Sequence, residues 1–255
     1  MKKKYKALML DLDGTTIPNR SDGLPSEKVI KAIEKASKIV HVGIATARPI
    51  FMLDGIIKNL KLSGPSVISS GAQIIDLPSR KVLWERTIDP NAYDRICDIL
   101  IKYKVQFFIQ DKQKEAKYLK DYGMKRILNI FCPGLEKRKI DLVVDDISQI
   151  STISIHQAPS FKSGKVDLII SDTLASKQHG IFEVAEILKI QTHEIIGVGD
   201  GYNDFPLLMA CGLKVAIGNA VPELKEIADY IAPSVDEDGV ADVIEKFILS
   251  QYLLK

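Results

Sequence analysis

The sequence predicts a doubly wound α/β fold: a parallel sheet flanked by helices, with a smaller α/β segment inserted in it. Two observations carry the prediction. Short, β-branched-rich apolar runs alternate with amphipathic stretches of helical period, and that alternation breaks down only in the middle of the chain. A third observation concerns the ends of the apolar runs, where acids and hydroxyls recur.

The runs are "KALMLD", "VHVGIAT", "PSVISS", "EIIGVGD" and "LKVAIGN". Continuous apolar stretches of this length fit strands covered on both faces, as in a parallel sheet. Between them, Ser26 is a candidate N-cap for a helix carrying Val29, Ile30, Ile33 and Ala36 on one side. Leu53, Ile56, Ile57 and Leu60 mark a second helix after Pro49. Ile181, Val184, Ala185 and Leu188 mark a third beyond Lys177. Val240, Val243, Ile244, Phe247 and Ile248 mark one near the C-terminus. From about Asp89 to Ile170 the pattern changes to "NAYDRICDILIKYK", "VQFFIQD", "KQKEAKYLKDYG", "IDLVVDD", "STISIHQ" and "KVDLIIS". The expected division is therefore a core of residues 1–87 and 171–255, interrupted by an inserted domain at 88–170.

Composition limits what the chain does. Of 255 residues, 46% are hydrophobic and 27% charged, and the net charge of +2 offers little attraction to nucleic acid. The lysines of the insertion interleave with apolar residues, as on a solvated helix face. "MKKKYK" is followed by only "ALML" before "DLDG", too short for a secretory leader and far short of a membrane span. Its lysines read as a solvated lead-in. Cys97, Cys132 and Cys211 form no CxxC pair or zinc pattern and are expected to be reduced thiols in a cytoplasmic protein. His41, His156, His179 and His193 are scattered and read as structural or surface residues.

Ligands of open parallel sheets bind in the crevice at the carboxyl ends of the strands. The residues closing the runs are Asp11 and Asp13, then Thr46, then Ser69 and Ser70, then Asp200. Asp11 and Asp13 lie two apart, so an extended chain points both the same way, which their mutual repulsion opposes. Such a set suits Mg²⁺, a hard cation that prefers oxygen donors, with phosphate beside it. Gly14 allows backbone amides to approach an oxyanion, Thr15 or Thr16 can cap the turn, and Thr46 is a neutral donor for phosphate. "GDGYND" brings Asp200, Asn203 and Asp204. Lys177, opening a helix, can place its ammonium on the same phosphate and screen the acids. Each feature alone has a plain reading: Asp-Gly turns are common, Thr46 can cap a strand, and Lys177 can be a surface lysine. "GDGYND" lacks the twelve-residue ligand pattern of an EF-hand. Their joint occurrence in this order points to a site.

Together "DLDGTT", "IATARP", Lys177 in "LASKQHGI", and the long run from "GVGDGYNDFPLLMACG" to "PSVDEDGV" resemble the haloacid dehalogenase-like hydrolases. Among these they are similar to the Cof-type phosphatases, which carry a C2-type α/β cap between the second and third motifs on a Rossmann-like core. The resemblance implies a Mg²⁺-dependent phosphatase of small, sugar-phosphate-like metabolites, acting through an aspartyl phosphate. It implies Asp11 as nucleophile, Asp13 as general acid and base, and Thr46 and Lys177 as holders of the phosphoryl group. Gly14, Arg48, Ser70, Gly71 and Asn203 are then phosphate- or substrate-binding. Mg²⁺ is implied on Asp11, the Asp13 carbonyl and Asp200, with Asp204 in direct or supporting contact. Partners are limited to a small phosphorylated metabolite, without nucleic acid or membrane, in a monomer or homodimer. A phosphotransferase or mutase using the same aspartyl phosphate is the alternative, and a non-catalytic binding protein the remoter one. Two positions depart from the family pattern: Ala47 replaces the glycine of Thr-Gly-Arg, and Ser70 the asparagine of Asn-Gly-Ala.

Overall fold

The computed structural model describes residues 5–19, 23–62, 64–111, 115–117, 126–160 and 164–253. The leading lysines and most of the lysine-rich stretch of the insertion lie outside them. In chain order the first half runs β1 (Ala7–Leu10), α1 (Glu27–Ala36), β2 (His41–Ile44), α2 (Asp54–Leu60), β3 (Pro65–Ile68), β4 (Gln73–Asp76) and β5 (Lys81–Glu85). Next come α3 (Pro90–Lys102), β6 (Phe108–Gln110), β7 (Glu115–Lys117), β8 (Asn129–Leu135), α4 (Lys137–Ser148), β9 (Ile153–Pro159) and β10 (Val166–Asp172). The chain closes with α5 (Lys177–Leu188), β11 (Ile195–Gly199), α6 (Phe205–Ala210), β12 (Leu213–Ala216), α7 (Pro222–Glu226), β13 (Tyr230–Ile231), α8 (Gly239–Ile244), a π-helical turn at Glu245–Leu249 and α9 (Ser250–Leu253). These elements group into two compact units, one of Met1–Arg48, Met52–Trp84 and Ser176–Lys255, the other of Pro49–Phe51 and Glu85–Ala175.

The first unit is built on a parallel sheet ordered β13-β12-β11-β1-β2. β1 lies centrally and all four of its residues are buried, as a strand covered on both faces requires. Its neighbours β2 and β11 hold it in register, Leu10 opposite Ile44 and Val198. The crossover helices supply the covering faces. Ser26 caps α1 by accepting the Val29 N–H, and Val29, Ala32, Ile33 and Ala36 form its buried stripe. In α5 the buried face includes Ile181, Val184 and Ala185.

The expectation of a parallel strand at "PSVISS" is met only in part. β3 pairs antiparallel with β4, in a separate three-stranded sheet β3-β4-β5, and meets the parallel sheet through the single bridge Ala45–Val67. The cause is local. Ser69, Ser70 and Gly71 all have positive φ (51°, 59° and 104°), which turns the chain straight back on itself. The hairpin β4–β5 carries no alternation strong enough to be read from the sequence.

The second unit is an antiparallel sheet ordered β7-β6-β8-β10-β9 with α3 and α4. The run "IDLVVDD" lies within α4, whose Ile140, Val143 and Ile147 share a core with Ile96 and Leu100 of α3 and Ile130, Cys132, Leu168 and Ile170 of the sheet. Cys97, Cys132 and Cys211 are buried free thiols, and burial pushes the Cys97 thiol up to about 12. Among the described residues no helix is long and apolar enough to cross a membrane.

His41 opens β2 with its Nε2 at 2.8 Å from the Pro65 carbonyl. Burial holds its imidazole below the ordinary 6.5. As pH falls through about 6.5 the unfolded chain gains this proton before the folded one does. Stability contributed by the neutral ring is thus complete above that pH and lost below it. Thermal melts from about pH 7.5 to about pH 5 should show a steeper fall in Tm for the parent than for His41→Gln.

Candidate active site

The site is assembled at the carboxyl ends of β1, β2, β3 and β11 and at the start of α5, all within the first unit. β1 delivers Asp11, only 4% exposed, whose N–H donates to the Val198 carbonyl at 2.9 Å. A tight turn follows, in which the N–H groups of Thr15, Thr16 and Ile17 converge on the Leu12 carbonyl. The Thr16 hydroxyl donates to the Asp11 carbonyl at 2.5 Å. Gly14 has a φ of +83°, and a Cβ there would run into the Asp200 carboxylate. Only glycine accommodates both.

Lys177 is the buried centre of the cluster. As the first residue of α5, behind the Ser176 N-cap, it places Nζ at 2.6 Å from Asp11 Oδ1 and 2.6 Å from Asp204 Oδ1. Asp204 Oδ2 accepts the N–H groups of Asp200 and Gly201 at 2.9 and 3.0 Å. Both oxygens of Asp204 are thereby engaged in holding the loop and the lysine. Asp200 Oδ1 accepts the Thr15 hydroxyl at 2.6 Å, which ties the β11 loop to the β1 turn.

Asp11, Asp200 and Asp204 offer carboxylate oxygens within 4.8 Å of one another. Three acids against one lysine leave the pocket two negative charges in excess. Burial first, then Asp204, push the Asp11 carboxyl well above the usual carboxylate range despite Lys177. Burial, with Asp204 and Asp13 adding to it, pushes Asp200 up to about 6 against the Thr15 hydrogen bond. For Lys177 burial favours the neutral amine, but Asp11 and Asp204 outweigh it and the ammonium is held above its ordinary value. A buried, oxygen-only cluster with surplus negative charge fits a hard divalent cation.

The remaining expected residues occupy two shorter segments. Thr46, 1% exposed, donates its N–H to Val67 O, and its Oγ1 accepts the Arg48 N–H at 3.2 Å. Arg48 pairs through its guanidinium with both side-chain oxygens of Asp13, Nε to Oδ2 at 2.8 Å and Nη2 to Oδ1. The Ser70 N–H donates to Thr46 O and the Ser69 N–H to Arg48 O, at 3.1 and 3.0 Å. Asn203 lies exposed in the Tyr202–Asp204 turn. One contributor escaped the sequence reading: Asn219 donates Nδ2–H to the Gly14 carbonyl at 2.8 Å while its Oδ1 accepts the Val235 N–H at 2.8 Å. The signal was present, since Asn219 closes the run "LKVAIGN" as the other site residues close theirs.

Fold and site together define a parallel α/β hydrolase scaffold with an acid cluster and a buried lysine at its strand ends. The chain belongs to the haloacid dehalogenase-like hydrolases, whose sequence pattern matches residues 8–158 and 135–244. The Bacillus subtilis protein YkrA is 28% identical over 256 residues, covering 94% of this chain and 97% of its own. The 5-amino-6-(5-phospho-D-ribitylamino)uracil phosphatase YcsE of the same organism is 27% identical, covering 96% of each. The solved subclass IIB sugar phosphatase BT4131 shares the fold, with a TM-score of 0.79 at 21% identity over 95% of this chain and 98% of that one.

Gly71 gives the site its sharpest steric test. Its φ is +104°, and a Cβ would strike the backbone of Ser176, next to Lys177. Gly71→Ala should cost more than about 2 kcal/mol in urea unfolding, since left-handed strain adds to a backbone clash.

Proposed function

We propose that the protein is a Mg²⁺-dependent phosphatase of small phosphorylated metabolites, working through an aspartyl phosphate on Asp11. The observation that carries this reading is the convergence of Asp11, Asp200 and Asp204 around Lys177 at one sheet edge, with Asp13 two residues beyond Asp11. Relatives named as phosphatases, matched over nearly their full length, support it.

The chemistry follows from the groups present. A carboxylate oxygen of Asp11 attacks phosphorus, the ester P–O bond breaks, and Asp13 gives its proton to the departing alkoxide. Asp13, now a carboxylate, takes a proton from water as that water attacks the phosphorus of the aspartyl phosphate. Inorganic phosphate leaves and Asp11 is restored. Lys177 and the Thr46 hydroxyl stabilise the charge on the transferring oxygens, and Lys177 opposes the effect of burial on Asp11. Asp11 and Asp200, with the Asp13 carbonyl, would hold Mg²⁺. Asp204, both of whose oxygens are engaged, acts by holding Lys177 and the loop. When bound, Mg²⁺ supplies positive charge beside the phosphoryl group and offsets the acid cluster. An acid two residues after the nucleophile suits phosphate esters, whose alkoxide needs a proton.

Asp11→Asn keeps the volume and cannot form the acyl phosphate, so phosphate release should fall at least about 10³-fold in a variant that still folds. A tenth of parent activity would remove Asp11 from this role. Excess chelator should stop turnover and added Mg²⁺ restore it, while Ca²⁺, with its looser and more numerous ligands, inhibits. Asp200→Asn should raise the Mg²⁺ needed for half-maximal activity by more than about tenfold. Asp204→Asn should act first on stability, lowering Tm by freeing one side of Lys177. The opposite ranking would exchange their roles.

A further inference from the structure

We propose that Arg48 is the positioning residue of Asp13, orienting its carboxylate for proton transfer, and does not serve as a ligand of the phosphoryl group. The inference rests on the reading of Asp13 as general acid and base. Its basis is the paired contact, with Arg48 Nε on Asp13 Oδ2 and Nη2 on Oδ1.

A guanidinium facing a carboxylate with two parallel N–H groups fixes the carboxylate plane as well as its position. Asp13 needs that help. Its side chain is 33% exposed, against 5% for Asp11, so packing alone does not select a rotamer. Among the described residues, the donors on its two oxygens are both from Arg48.

Arg48 is itself anchored firmly enough to act as the reference. Its side chain is 15% exposed. Its N–H donates to Thr46 Oγ1, and its carbonyl accepts the Ser69 N–H. Pro49 follows it and restricts its backbone to extended conformations. Ala47 precedes it and lacks the conformational freedom of a glycine. The Ser69–Gly71 turn that grips Thr46 and Arg48 is left-handed at three successive positions, two of them not glycine. Such strain persists where surrounding structure over-determines it.

The clamp leaves Asp13 competent. Each carboxylate oxygen has two lone-pair sites, and Arg48 occupies one on each. An oxygen remains able to give a proton to the leaving alkoxide and to take one from water, now in a fixed direction. Proton transfer is sensitive to that direction, and the phosphoryl oxygens already have Lys177 and Thr46 to address them.

Two roles for Arg48 differ in what they predict. A phosphate ligand acts on every phosphate ester alike, whereas an orienter of the acid matters in proportion to the leaving group's need for a proton. The test compares the parent with Arg48→Met, Arg48→Lys and Asp13→Asn, on β-glycerophosphate and on p-nitrophenyl phosphate, with thermal melts on each variant. For Arg48→Met, kcat on the alkyl ester should fall on the order of 100-fold, on the aryl ester by less than about tenfold, and KM should change little on either. Arg48→Lys, one donor without the fork, should recover only part of the alkyl activity, and it carries the test if the methionine variant fails to fold. A KM that rises equally on both esters with kcat kept, or a uniform loss of kcat that follows Tm, would overturn the proposal. Asp13→Asn separates the two levels. If it shows no dependence on leaving group, the acid role of Asp13 falls and the Arg48 proposal with it. If it does and the Arg48 variants do not, only the positioning role is lost.

Discussion

The buried ammonium of Lys177 is the interaction on which the site depends. Placed 2.6 Å from both Asp11 and Asp204, it joins the end of β1, the start of α5 and the loop after β11. A buried pair of this kind is a poor source of net stability, because desolvation consumes most of the Coulombic gain. Its value lies in what happens when a member is missing: an acid left unpaired there costs about 3–5 kcal/mol. The helix, the two strands and the loop are therefore held to one arrangement, the one in which the ammonium and the carboxylates meet. The surplus negative charge that remains ties stability to the cation the cluster would bind, since a ligand that binds only the folded chain stabilises it.

A second set of constraints works through backbone geometry. Gly14 and Gly71 stand where a methyl group would strike the Asp200 carboxylate and the Ser176 backbone, so two connections close on the cluster at glycine distance. Ser69 and Ser70 lack that freedom and still adopt left-handed conformations, at a cost on the order of 1–3 kcal/mol each. The Ser69 hydroxyl adds to it, being buried with no hydrogen-bond partner among the described residues. What the turn gains is two backbone hydrogen bonds to the Thr46 and Arg48 carbonyls. Stability is surrendered beside the functional groups, a pattern expected where local order serves chemistry.

The two units follow different rules. In the first, parallel strands need crossover helices, and every strand end faces the same edge, so polar residues far apart in sequence collect there. In the second, every described strand pairing is antiparallel, and the helices α3 and α4 share one core with the sheet. That contrast explains why the alternation of runs and helices is strong at both ends of the chain and fades between them.

The sequence by itself determined the fold class, the parallel strands β1, β2, β11 and β12, the Ser26 cap, and the strand-end positions of Asp11, Asp13, Thr46 and Asp200. Burial on two faces leaves continuous apolar runs, and the polar residue that ends each run is local information. Only the tertiary structure decided how the charges pair. Lys177 is 166 residues from Asp11, and Arg48 is 35 from Asp13. No periodicity encodes which acid each cation meets. The sequence suggests that Lys177 screens the acids as well as addressing phosphate, and that Arg48 faces phosphate. The structure places both cations on carboxylates, because an acid brought this close without a counter-charge would repel its neighbours. The antiparallel turn of β3 was hidden for a related reason: a serine's left-handed conformation is imposed by the backbone bonds to Thr46 and Arg48, and nothing in its own chemistry announces it.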